Sequence, residues 1–141
     1  PGASAAVPGP SPRAGAGAVT VDLCALLTDD EVADAIGVAV TSVEPAPLSC
    51  RKGDGGTRVV VVRLLPPGAG PDSSFENLRL GGAEPVPEID VENLYDAAYE
   101  ELRMRTPDGH HLMVQLDISG MGDRDALVAL ARAALDRFLA S

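Results

Sequence analysis

Residues 57–65 read Thr-Arg-Val-Val-Val-Val-Arg-Leu-Leu and lie between a glycine-rich turn, Gly53-Asp54-Gly55-Gly56, and the pair Pro66-Pro67. Branching at Cβ crowds a helical turn but suits a pleated sheet, so this run is expected to be a central strand. The glycines upstream reverse the chain, which makes residues 48–52 the neighbouring arm and sets Cys50 on it. A further strand is expected over residues 38–44, with Pro45 and Pro47 as punctuation between it and the next. Downstream, residues 101–105 and 112–118 flank Thr106-Pro107-Asp108-Gly109, whose Pro and Gly suit a hairpin turn. Alternation along the second arm assigns Leu112, Val114, Leu116 and Ile118 to the buried face, and Met113 to the opposite one.

Helix signals bracket these strands. Thr28-Asp29-Asp30-Glu31 is a capping box, with acids in the first turn to suit the positive end of the helix dipole. Val32, Ala35 and Ile36 share one face of the helix it opens, Gly37 stops it, and Leu23, Leu26 and Leu27 extend the apolar contact upstream. Ser73-Ser74-Phe75-Glu76 offers a second box for a short helix through Leu80 that ends at Gly81-Gly82. Residues 83–98 admit two readings, an extended edge or loop from Pro85 and Pro87, or a turn of helix from Asn93 to Tyr99. Finally Asp123 caps a closing helix in which Leu127, Leu130, Ala131, Ala134, Leu135 and Phe138 recur at helical spacing, and the sheet is the surface available to cover them. The expected class is α+β: an antiparallel sheet of about five strands packed against a C-terminal helix, with an N-terminal helix beside it.

A chain of 141 residues accommodates one core. With two Phe, two Tyr and no Trp, that core is aliphatic. Residues 1–19 are Pro, Gly, Ala and Ser apart from Val7, Val19 and one charge, Arg13, with no periodicity, so residues 1–20 are expected to be a flexible tether and residues 21–141 the folded domain. The net charge of −10 repels phosphate backbones and anionic lipid, which disfavours nucleic-acid binding and attachment to a membrane by charge. No stretch approaches the roughly 20 apolar residues of a membrane span, and no basic segment leads into an apolar run at the start, so an exported chain has had its signal peptide removed. The only cysteines are Cys24 and Cys50. An even count in a small domain favours a bridge, worth about 3 kcal/mol through the unfolded state, with a free buried thiol as the alternative.

The stretch Asp22-Leu23-Cys24-Ala25-Leu26-Leu27-Thr28, followed by Glu31-Val32 and Ile36-Gly37, resembles the opening of a family of small secreted actinobacterial lipoproteins catalogued as a domain of unknown function. In that family a cysteine ahead of the Leu-Leu-Thr helix is followed about twenty-five residues later by another on a strand. Cys24 and Cys50 match those positions, so the resemblance implies a disulfide between them that ties the first helix to the sheet. The Pro107-Asp108-Gly109 hairpin and the helix with Leu130-Ala131 and Ala134-Leu135 extend the likeness over residues 22–140. One departure is that Arg51 and Lys52 follow Cys50 where the family usually carries an aromatic. The resemblance implies export and lipid anchoring, through a cysteine that would precede Pro1, and it carries over no catalytic residue.

Chemistry-bearing residues are sparse. His110 and His111 are adjacent on a strand, so the pleat sends them to opposite faces and they do not chelate one metal together; a solvated hairpin is the expected setting. Asp90, Glu92 and Asp96 near Asn93 lack the ligand alternation of a calcium loop and are read as a polar connection. In Gly120-Met121-Gly122-Asp123 the acid occupies the place an anion would take at the helix start. Met104 is assigned to the core, and with Met113 and Met121 it raises the idea of a soft cavity between sheet and closing helix. No catalytic, cofactor-binding or metal-binding residue is therefore named, and no cofactor is expected. The leading expectation is a non-enzymatic binding or interaction module at the outer face of a cell membrane, meeting the membrane only through a lipid anchor outside this chain, or secreted. Its partner is an unknown envelope protein. The alternatives are a carrier or sensor of a small hydrophobic ligand and a cell-envelope hydrolase.

Overall fold

The computed structural model describes residues 21–118 and 123–141. The tether expected over residues 1–20 lies outside them, as do Gly120, Met121 and Gly122 and the side chain of Ile118. A single 3-10 turn, Leu23–Leu26, leads into α1 (Asp29–Ile36). Then follow β1 (Ser42–Ala46), β2 (Ser49–Gly53), β3 (Arg58–Leu65), α2 (Ala69–Leu80), β4 (Glu92–Asp96), β5 (Glu101–Arg105), β6 (His111–Ile118) and α3 (Arg124–Ala140). The strands form one sheet in the order β1-β2-β3-β6-β5-β4, antiparallel at every pairing. The fold is α+β as expected, with six strands where five were counted.

The valine run is central, since β3 pairs β2 on one side and β6 on the other. Its alternate residues Val60, Val62 and Leu64 stand opposite Leu116, Val114 and Leu112, and these six side chains are at most 3% exposed. Leu102 and Met104 of β5 continue the layer. α3 covers it with Leu127, Leu130, Ala131, Ala134, Leu135 and Phe138, while the 3-10 turn and α1 add Leu23, Leu26, Leu27, Val32 and Ile36. The capping box forms as read, Thr28 Oγ1 accepting from the Glu31 amide and Glu31 Oε1 from the Thr28 amide. Gly37 ends α1 at φ 79°, the left-handed region that a residue with Cβ seldom takes.

Two local expectations are corrected, and the open stretch 83–98 takes its extended reading. β1 runs through Pro45 instead of ending before it, because β1 lies at the edge of the sheet, where a missing N–H breaks no ladder. α2 begins at Ala69 rather than at the Ser73 box; Gly68 is its N-cap, without a side-chain bond, and Ser74 Oγ is taken by Arg103. Pro71 falls in the first turn of α2, where its missing N–H is not needed. The ambiguous stretch 83–98 contains the sixth strand, β4, whose neighbour on the outer side is a bridge between Glu84 and Tyr95. No helical turn forms at residues 93–99. The preceding loop is held by Asn93, whose Oδ1 accepts from the Val86 amide while Nδ2 donates toward the carbonyls of Val86, Ile89 and Val91. That brings Val86 and Ile89 into the core.

Candidate functional site

Cys24 and Cys50 are joined by a disulfide with a Cα–Cα distance of 5.2 Å, across 26 residues of sequence. A bridge of this kind belongs to an oxidising, extracytoplasmic compartment, and no helix among the described residues is long and apolar enough to cross a membrane. Three cations from elsewhere in the chain reinforce the same junction. Lys52, the only lysine, is 9% exposed and donates to the Leu27 carbonyl at 2.7 Å and to Asp29 Oδ1 at 2.8 Å. Arg58 donates to the Ile36 carbonyl at the negative end of α1, at 2.7 Å. Arg137 of α3 donates to the Leu26 carbonyl and clasps both carboxylate oxygens of Glu31, at 2.6 and 3.0 Å. This guanidinium holds the Glu31 carboxyl down at about 2, with help from the Thr28 amide. α1 carries Asp29, Asp30, Glu31 and Asp34 and no base, so every cation gripping it is supplied by another element.

The two histidines do point to opposite faces, but neither is solvated. His110 packs edge-on to Phe138 of α3, with Nδ1 3.0 Å from Asp108 Oδ1 and a side chain 14% exposed. Asp108 in turn accepts from Thr106, and these bonds hold its carboxyl at about 2. His111 is fully buried on the other face, edge-on to Phe75 of α2, with Nε2 3.0 Å from Asp72 Oδ1. The expectation of a solvated hairpin fails because α3 packs over His110 and α2 over His111 on the second face, and the α2 contact is one that the period-2 pattern of β6 does not announce. Met113, on the second face as expected, is buried there too. Burial pushes the Glu101 carboxyl up and the Arg103 guanidinium down on this same face. Among the described residues His111 Nδ1 has no partner and is shut off from solvent, so this pair fastens α2 to the sheet rather than presenting a base to a substrate.

The acids read as a polar connection are dispersed. Glu92 pairs with Arg79 and Arg105, Asp96 accepts from the Ala98 amide, and Asp90 is exposed. Among the described residues no three His, Cys, Asp or Glu side chains converge as metal ligands would. Asp123 caps α3 by accepting from the Ala126 amide, and Met104 is fully buried.

The feature that strand and helix patterns did not single out is a groove of about 320 Å³ between α1 and α3. Ala126, Ala129 and Ala133 form the α3 wall, Leu130 its floor, and Glu31, Asp34 and Ala35 the α1 wall. It exists because α3 presents methyls at positions 126, 129 and 133, too short to fill the space beside α1. The signal was in the sequence as a second apolar stripe, offset from the leucines that mark the core. By contrast a space at the disulfide, lined by Leu23, Cys24 and Val60 among others, is about 10 Å³. No protein family, curated protein or solved structure matches this chain.

Proposed function

We propose that this chain is an extracytoplasmic, non-enzymatic partner-binding domain whose contact surface is the groove between α1 and α3, held at the outer face of a membrane by a lipid anchor outside the chain or secreted. The observation that carries the reading is the open groove itself, an apolar concavity with a polar rim on an otherwise acidic surface. The disulfide supports the compartment. The elements forming the groove are the ones the disulfide, Lys52, Arg58 and Arg137 hold in place, so the surface is rigid before any partner arrives.

The carrier alternative needs enclosed space between the sheet and α3. That interface is filled by Leu102, Met104, Leu112, Val114, Leu127, Ala131 and Ala134, none exposed, which favours a surface partner over an engulfed ligand. A hydrolase needs an accessible base, and His111 is sealed beneath α2.

The test uses the immobilised domain and a groove-filled variant, Ala129→Trp, against the exported proteins of the host. A protein retained by the native domain and lost with the variant supports the reading. Equal retention by both refutes the groove as the contact surface.

A further inference from the structure

Resting on the proposed role of the α1–α3 groove, we infer that its occupant is a cationic, amphipathic segment of another polypeptide, which seats aliphatic side chains on the alanine wall and sets a Lys or Arg against Asp34. One wall of the groove carries uncompensated charge. α3 carries three arginines, and each is engaged or placed away from the groove. Arg124 reaches Glu88 at 3.4 Å, Arg132 lies near enough to Glu88 to lower its carboxyl, and Arg137 is committed to Glu31. None of the three lines the groove. On α1, Asp29 is paired with Lys52 and Glu31 with Arg137. Asp34 lines the groove, is exposed, and has no ion pair among the described residues; Asp30, one turn away, is likewise exposed and unpaired. The concavity therefore combines an apolar floor with unbalanced negative charge on one wall only, which selects a partner with apolar side chains beside a positive one.

The same charges disfavour the other occupants. A second copy docking groove to groove would bring two acidic walls into one interface, on a chain whose net charge is already −10. A fatty acid or other anionic lipid would bring its head group to the acidic wall. The groove volume, about 320 Å³, lies at the low end of the range for bound small molecules, and suits a few side chains of a larger partner.

Because the chain contains no Trp, a single Trp in a probe peptide reports binding directly. Two capped helical peptides serve as probes, alike in Leu and Trp positions, one with Lys and the other with Glu on the polar face. Titration of the whole domain is expected to show saturable binding of the Lys peptide that weakens as salt rises, with the Glu peptide at least about tenfold weaker. Asp34→Lys should weaken the Lys peptide about fivefold or more, and Ala129→Phe should abolish its binding, with the circular dichroism of both variants unchanged. The charge inference is overturned, with the groove reading intact, if both peptides bind alike and only Ala129→Phe removes them. Both fall if Ala129→Phe leaves binding untouched, or if neither peptide binds. A dimer by sedimentation that Ala129→Phe dissociates would make the occupant a second copy and overturn the inference.

Discussion

Reducing the Cys24–Cys50 bridge should cost the domain about 3.5 kcal/mol of stability without unfolding it. The bridge closes a loop across 26 residues, and a loop of that size restricts the unfolded chain by about 12 cal/mol/K, or about 3.5 kcal/mol at 25 °C. Domains of this size are stable by about 5–15 kcal/mol, so the native state survives with its margin cut sharply. With an unfolding entropy near 2.1 cal/mol/K per residue over roughly 120 folded residues, the corresponding fall in Tm is about 14 °C. The reason the fold persists is that the bridged segment is held by more than sulfur. Leu23, Leu26, Leu27, Val32 and Ile36 are buried, and Lys52, Arg58 and Arg137 bond its carbonyls and carboxylates. The assay is urea unfolding followed by far-UV circular dichroism, with and without a phosphine reductant, and with Cys24→Ala/Cys50→Ala as the covalent control. A loss below about 1 kcal/mol would mean that the unfolded state does not feel the cross-link, and complete unfolding on reduction would mean that the contacts around α1 contribute far less than their burial implies.

Other perturbations read out other parts of the fold. Asn93→Ala leaves the Val86 amide and three carbonyls without their side-chain partner in a buried setting, so a loss of about 2–4 kcal/mol is expected, with hydrogen exchange of the Val86 amide accelerating more than that of β6. His111→Ala should cost about 2–4 kcal/mol by opening a cavity beneath Phe75, whereas His111→Leu nearly keeps the volume and should recover most of it; equal losses would show that the Asp72 bond, not packing, secures α2. The Glu31 carboxyl sits at about 2 in the folded chain against an ordinary 4.5, so its ion pair stabilises the fold fully above about pH 4.5 and fades as pH falls toward 2. For a pair this exposed about 1 kcal/mol is expected, and Glu31→Gln should flatten that part of the stability profile between pH 5 and 2 measured by urea titration.

Local chemistry was legible where one residue's conformation decides the outcome. The capping box at Thr28, the stop at Gly37 and the Pro107-Asp108-Gly109 hairpin act through bonds a few residues long, and they formed as read. The valine run announced a central strand because β-branching is a property of the side chain itself. What the pattern left open or misplaced depended on contacts made outside the element itself. β4 was hidden because its inward residue is Asn93, a polar side chain made acceptable only by the loop carbonyls and amide that fold back on it. α2 starts four residues ahead of the Ser73 box because Gly68 serves as its N-cap without any side-chain bond, which leaves no polar signature at the true start.

By itself the sequence determined the class of the fold, the position of the cysteines on opposing elements and the apolar faces of β6 and α3. Only tertiary structure decided that the second face of the sheet is buried under α2, with His111 sealed inside it, and that Ala126, Ala129 and Ala133 line a groove rather than a flat helix surface. The division has one cause. Periodicity records which side of an element is apolar, but what a side chain faces depends on where other elements dock, and that is set by packing and by pairings such as Arg137 with Glu31 between residues 106 apart.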